Sequence, residues 1–284
     1  MMRGILAEGE LARAGYQLRY WLAGPAGAPL LVFTHGAAMD HRMFTAQIPA
    51  VTRQYRLLLW DVRGHGQSGP LNGDFSIRAA VEDLVTLLDE VGSERAILVG
   101  HSMGGYISQE LLFLHPERVA ALVTVGSTCL TLEHPWPVWV GMQLSPLALS
   151  LYPYRAFVWQ AAWGITISRA VRAYVKEVVG RHSKQEFIDI WAAIMDCIHP
   201  EPGYRITQPL LVTHGRFDYL GLGVMQQQAR AWAGRDPNCK YVVIPGAAHN
   251  AKQENPAFFN KILLDFLQEL PLKAPTHQRY RQIW

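Results

Sequence analysis

Ala96-Ile97-Leu98-Val99-Gly100-His101-Ser102-Met103-Gly104 runs from a short apolar stretch through Gly-x-Ser-x-Gly and straight into a helical pattern carried by Tyr106, Ile107, Leu111 and Leu114. The order strand, tight turn, helix gives the motif its meaning. A sharp strand-to-helix turn forces the serine into a strained backbone and brings neighbouring chain close, and side chains at 100 and 104 would obstruct that approach. The result is an exposed hydroxyl at a helix N-terminus, where free N–H groups and the helix dipole favour a developing oxyanion, with the Met103 N–H as one donor.

Outward from this turn, the chain alternates apolar runs with amphipathic stretches between Gly15 and about Leu130, the pattern of strands interleaved with helices around a parallel sheet. Leu30–Thr34, Arg56–Trp60, Ala96–Val99 and Val119–Val125 read as buried strands. Ile77, Val81, Leu84, Leu88 and Val91 recur at helical spacing, and Gly15–Leu22 with the preceding segment reads as an antiparallel hairpin at the sheet edge. Alternation resumes with Leu210–Thr213, a helix near Gly223–Trp232, Tyr241–Ile244 and a final helix. Asn255 can cap that helix, Pro256 suits its first turn, and Phe259, Ile262, Leu263, Phe266, Leu267 and Leu270 form its apolar stripe.

A serine hydroxyl is a weak nucleophile at neutral pH, so the elbow calls for a histidine base and a carboxylate to orient it. Both follow in the order Ser, acid, His: Asp218 in His214-Gly215-Arg216-Phe217-Asp218, and His249 in Gly246-Ala247-Ala248-His249. Each sits just past the carboxyl end of a predicted strand, where ligands gather in open parallel sheets. Gly64-His65-Gly66-Gln67-Ser68-Gly69 also fits a dinucleotide loop, but Pro70, Asn72 and Gly73 delay the next helix to about Ser76, and a pyrophosphate needs that helix at once.

Four motifs together make the chain resemble the α/β-hydrolase fold family from about Gly15 to Leu270. They are His35-Gly36-Ala37-Ala38, Asp61-Val62-Arg63-Gly64-His65-Gly66-Gln67-Ser68, the Ser102 elbow, and the Asp218 and His249 pair. The resemblance implies a mostly parallel eight-stranded α/β sheet flanked by helices, with a helical cap inserted after the sixth strand. It implies a core of residues 1–130 and 206–270, a cap of 131–205 and a tail of 271–284. It also implies Ser102, Asp218 and His249 as triad, and the N–H groups of Ala37 and Met103 as oxyanion hole. Relatives with Asp at the elbow carry out dehalogenase or epoxide chemistry; the serine here points instead to a serine hydrolase of the esterase-like branch. Lactone, carbon–carbon, perhydrolytic, thioester and amide chemistry use the same triad, and a slow or non-catalytic ligand sensor is the alternative from another class. His35, His65, His101 and His214 read as hydrogen-bonded turn residues.

Composition narrows the rest. The 284 residues carry 26 Lys and Arg against 23 Asp and Glu, a formal charge of +3 that is too small for a nucleic-acid footprint. Arg3, Glu8, Glu10, Arg13 and Arg19 leave no apolar core for a secretory signal, and three distant cysteines (Cys129, Cys197, Cys239) make neither a disulfide framework nor a zinc site. A reducing cytoplasm fits. His134, His182 and His199 lack ligand spacing, so no metal and no organic cofactor is expected. His134–Tyr154 has no formally charged residue, but Pro135, Pro137, Pro146 and Pro153 argue against a continuous spanning helix, so it reads as buried or cleft-lining rather than inserted in a membrane, with interfacial lipid contact as the minority reading. Trp136, Trp139, Trp159, Trp163 and Trp191 fall in the insertion and, with Ala38, are the candidate substrate contacts. The partner expected is a small to medium, largely apolar ester-like molecule, with the protein a monomer or homodimer.

Overall fold

The computed structural model describes residues 7–70, 75–219 and 223–271. Runs such as Leu30-Leu31-Val32-Phe33 are apolar at every position because the strands they form are covered on both faces. Val32, Leu58, Leu98, Leu122 and Val212 point to one face, and Leu31, Phe33, Leu57, Leu59, Val99 and Val123 to the other.

The strands are β1 (Ala7–Arg13), β2 (Tyr16–Ala23), β3 (Leu30–Thr34), β4 (Arg56–Trp60), β5 (Ala96–His101), β6 (Val119–Val125), β7 (Leu210–Gly215) and β8 (Cys239–Ile244). They form one sheet in the order β1-β2-β4-β3-β5-β6-β7-β8. β1 and β2 make the edge hairpin, β2 pairs antiparallel with β4, and every pairing from β4 to β8 is parallel. The helices are α1 (Ile48–Val51), α2 (Ile77–Glu90), α3 (Met103–Leu114), α4 (Trp136–Leu151), α5 (Tyr154–Gly164), α6 (Arg169–Val179), α7 (Lys184–Asp196), α8 (Val224–Arg235), α9 (Ala251–Glu254) and α10 (Pro256–Gln268). Leu84 and Leu88 of α2, Ile107 and Leu111 of α3 and Trp232 of α8 cover one face of the sheet. Phe259, Leu263 and Phe266 of α10 cover the other. The Asn255 side chain accepts the Phe258 N–H at 3.3 Å, capping α10 as its sequence predicts. The expected tail, with Ile283 and Trp284, falls outside the described residues from 272 onward.

Between β6 and β7 the chain inserts α4 to α7, and here one expectation is corrected. α4 runs unbroken through Pro146, whereas the prolines of this stretch argued against a continuous helix. The repair is local. Proline removes the N–H that would bond the Met142 carbonyl; the Ser145 hydroxyl donates to that carbonyl instead, at 2.6 Å. Ser145 Oγ in turn accepts the Trp191 indole N–H of α7 at 2.6 Å, so the repaired turn also anchors two insertion helices to each other. Nor is α4 buried: none of its residues falls below the surface completely, and its outer face is in solvent. Among the described residues, no helix is long and apolar enough to cross a membrane.

The core also holds an anomaly. Lys252 of α9 is fully buried, its Nζ has no hydrogen-bond partner, and it lies 5.1 Å from the centroid of the Phe44 ring. Desolvation pushes its pKa well below that of an ordinary lysine. The unfolded chain therefore holds a proton there that the folded chain lacks, over the interval from the depressed value up to about 10.5. Stability should rise with pH across that interval, by up to about 1.4 kcal/mol per pH unit from this group. Lys252→Met should remove that slope and stabilise the fold near neutral pH by roughly 1 kcal/mol or more. Urea unfolding at a series of pH values measures both effects; an unchanged slope in the variant would refute the assignment.

Candidate active site

The turn between β5 and α3 holds Ser102 at φ +50°, ψ −117°, one of two non-glycine residues with positive φ among those described. Such a conformation persists only where the surroundings enforce it. Here the Ser102 N–H donates to the Val125 carbonyl at 2.9 Å, and its own carbonyl accepts the Gly105 N–H and the Ser127 hydroxyl, each at 2.8 Å. A Cβ on Gly104 would be driven into the backbone carbonyl of Thr34, and one on Gly100 into that of Gly104. The motif glycines thus permit α3 to begin in contact with the ends of β3 and β5.

Asp218 and His249 come from the loops after β7 and β8. Those loops are laced together: the Arg216 N–H donates to the Ile244 carbonyl at 2.9 Å and the Phe217 N–H to the Ala247 carbonyl at 2.8 Å. The lacing brings His249 Nδ1 to 2.9 Å from Asp218 Oδ2, with both side chains almost wholly buried. A proton on Nδ1 then leaves the Nε2 lone pair free to accept another. Two supporting residues were not legible in the sequence. Gly126, at φ +65° directly after β6, lies beneath the pair, and a Cβ there would stand 2.9 Å from His249 Nδ1 and 3.2 Å from Asp218 Oδ2. Glu254 accepts N–H bonds from Ala248 (2.6 Å), Ile167 (2.5 Å) and Ser168 (2.8 Å), tying the His249 loop to the turn between α5 and α6. A glycine ending a buried strand was the only sequence signal for the first; the second had none.

The loop after β3 is the other wall. His35 is buried, accepts the Val62 N–H on Nε2 at 2.9 Å and bonds the Gly36 carbonyl through Nδ1 at 2.9 Å; desolvation lowers its pKa. Ala38 has φ +54°, so the loop turns sharply after Ala37. The Asp61–Ser68 motif acts as a clamp: Asp61 accepts the His41 N–H (2.7 Å) and the Gln67 N–H (2.8 Å), and the Ser68 hydroxyl donates to the Asp61 carbonyl at 2.5 Å. Met103 opens α3, and its N–H is one of those a helix leaves without an internal partner.

Ser102, Ala37 and His249 line a cavity of about 600 Å³ between the sheet and the insertion. Gly36, Met39, Leu149, Phe157, Ile165, Val179 and Phe187 contribute to its walls, which among the described residues hold neither a carboxylate nor an ammonium or guanidinium group. Of the five tryptophans that are candidate substrate contacts, Trp191 lines the cavity. Trp136, Trp139, Trp159 and Trp163 are absent from its walls and exposed, a correction with a geometric cause: their helices turn smaller residues such as Ala148 and Ala161 inward. Ala38 is also displaced; its side chain is buried and borders a separate pocket of about 110 Å³ beside Asp40, Arg181 and His182.

The sheet and its flanking helices agree with what comparison with known proteins finds. A sequence model of the α/β hydrolase fold matches residues 29–152. The chain has the α/β-hydrolase fold. It is 29% identical over 259 residues to a protein provisionally named a carbamate hydrolase in Pseudomonas savastanoi pv. phaseolicola, covering 85% of this chain and 95% of that one. It is 26% identical over 260 residues to a pimeloyl-[acyl-carrier protein] methyl ester esterase of Yersinia enterocolitica, covering 88% and 97%. A thermophilic esterase from Thermogutta terrifontis superposes with a TM-score of 0.77 at 20% identity, over 94% of this chain and all of that one, a likeness of fold.

Strain at the elbow of this α/β-hydrolase fold is measurable apart from any activity. Glycine adopts positive φ without penalty, so Ser102→Gly should be more stable than Ser102→Ala by about 1–2 kcal/mol, against the usual order for glycine and alanine. Chemical denaturation of the pair checks this; an alanine variant as stable as the glycine variant would show that the turn is unstrained.

Proposed function

We propose that the protein is a serine hydrolase that cleaves a carboxylic ester of a small to medium, largely apolar substrate through an acyl-enzyme. The observation that carries this reading is the hydrogen-bonded contact of His249 with Asp218 together with a strained Ser102, with Ser102 and His249 opening on one cavity.

In this reading Ser102 Oγ attacks the ester carbonyl while His249 Nε2 accepts its proton and then returns it to the departing alkoxide. Asp218 fixes the tautomer and steadies the imidazolium. The N–H groups of Ala37 and Met103 hold the oxyanion; each such donor typically contributes 10²- to 10³-fold, roughly, in rate. Water repeats the sequence on the acyl-enzyme to release the acid. Walls without charged side chains favour uncharged acyl and alcohol groups, since an unpaired charge would lose its hydration on entry. The names of the methyl ester esterase and esterase relatives agree with ester cleavage. No step in this scheme calls for a cofactor.

The test is hydrolysis of p-nitrophenyl esters from acetyl to dodecanoyl beside Ser102→Ala. Wild-type kcat/KM should climb with acyl length, by up to about fourfold per methylene the cavity buries, before levelling. Ser102→Ala should lose at least about 10³-fold. Wild type and variant equally inert across the series would refute the proposal.

A further inference from the structure

A helix beside a cavity normally has one apolar face, and a helix apolar all round is normally buried. α4 departs from both patterns. At 3.6 residues per turn, Trp136, Trp139, Leu144, Leu147 and Leu151 fall within an arc of about 140°, and all five are exposed, Trp136 by 74% and Leu151 by 79%. Ser145, Ala148 and Leu149 occupy the opposite side and line the cavity. α5 repeats the arrangement, with Trp159 and Trp163 one turn apart, exposed, and their ring centroids 5.8 Å from each other.

These residues surround an opening. Tyr152, Gln160 and Gly164 line the cavity yet are exposed, and each directly follows an outward apolar residue: Leu151, Trp159 and Trp163. Charge is equally one-sided. From His134 to Lys176 the sequence contains Arg155, Arg169, Arg172 and Lys176 and no Asp or Glu. The Arg172 guanidinium stands over the Trp163 ring, 3.5 Å from its centroid, so one of these cations is fixed within the patch.

We propose that the outer face of α4 and α5 docks on an anionic lipid surface, lying in the headgroup region with the cavity mouth turned toward the bilayer. Tryptophan, tyrosine and leucine side chains, with Arg172 over Trp163, Arg155 one turn before Trp159 and no carboxylate on α4 or α5, match the chemistry of that interface. A second copy of the chain matches it poorly, because a self-complementary contact would set Arg155 and Arg172 against the same cations with no carboxylate on α4 or α5 to offset them. The docking is peripheral, since no described helix is long and apolar enough to span. It does not rest on ester cleavage, and Ser102→Ala should dock as the wild type does.

The test uses the full chain, the Ser102→Ala variant and unilamellar vesicles of phosphatidylcholine alone or mixed with phosphatidylglycerol. Both proteins should co-float with the mixed vesicles at least about fivefold more strongly than with pure phosphatidylcholine, with a blue shift of tryptophan emission. The triple variant W136S/L147S/L151S, altered only at exposed sites, should lose at least about tenfold of this binding. Reversing Arg155 and Arg169 to Glu should abolish the anionic preference. Circular dichroism and denaturation midpoints matching the wild type establish that the variants are folded. Failure to float with either vesicle overturns the proposal, as does binding undiminished in the triple variant. A concentration-dependent dimer in sedimentation velocity that the triple variant dissociates, without vesicle binding, would assign the face to a second copy instead.

Discussion

Everything at the Ser102 edge of the sheet depends on how closely α3 meets the ends of β3 and β5. Gly104 lies against the Thr34 and His35 backbone and Gly100 against the first turn of α3, so the chain has no room to relax after the strand. That contact holds Ser102 at positive φ, a conformation costing of order 1–3 kcal/mol that the packed sheet supplies. The neighbouring walls serve the same end. Val125 at the end of β6 and Ser127 just beyond it fasten the Ser102 backbone, while Gly126 between them leaves space for the His249 ring and the Asp218 carboxylate. One strand end thus positions all three side chains.

Polarity is distributed with the same economy. The cavity walls are mostly apolar; Ser145 is committed to Trp191 and Met142, Tyr152, Gln160 and Tyr219 lie at the exposed rim, and Glu254, outside the walls, is committed to three backbone N–H groups. The polar groups left at the floor are those of the Ser102 and His249 constellation and the backbone beside it. Glu254 deserves emphasis as a joint between layers, because it connects the histidine loop to the insertion and makes the height of the insertion over the floor a matter of charge-assisted hydrogen bonds.

Elements whose physics is local were legible in the sequence. The buried parallel strands announce themselves by unbroken apolar runs, the final helix by its cap and stripe, and the elbow by glycines that only a close approach requires. Asp218 and His249 were found by chain order and by their place after strands, and the structure puts them in hydrogen-bond contact. What failed was orientation. A helix rich in tryptophan does not state which face it turns inward, so Trp191 was grouped with four residues that face solvent. Proline was read as a helix breaker at 146, because the compensating hydroxyl of Ser145 becomes meaningful only once Met142 and Trp191 are placed. Gly126, Glu254 and Lys252 depend on contacts from distant segments, and spacing carries no trace of them.

The central claim is that His249 activates Ser102, and a serine-directed fluorophosphonate tests it without knowledge of the natural substrate. Intact-protein mass spectrometry should show one adduct, mapped by peptide sequencing to Ser102, with labelling slowed at least about 10²-fold in folded His249→Ala. Labelling at another residue, or at an undiminished rate in His249→Ala, would contradict the account.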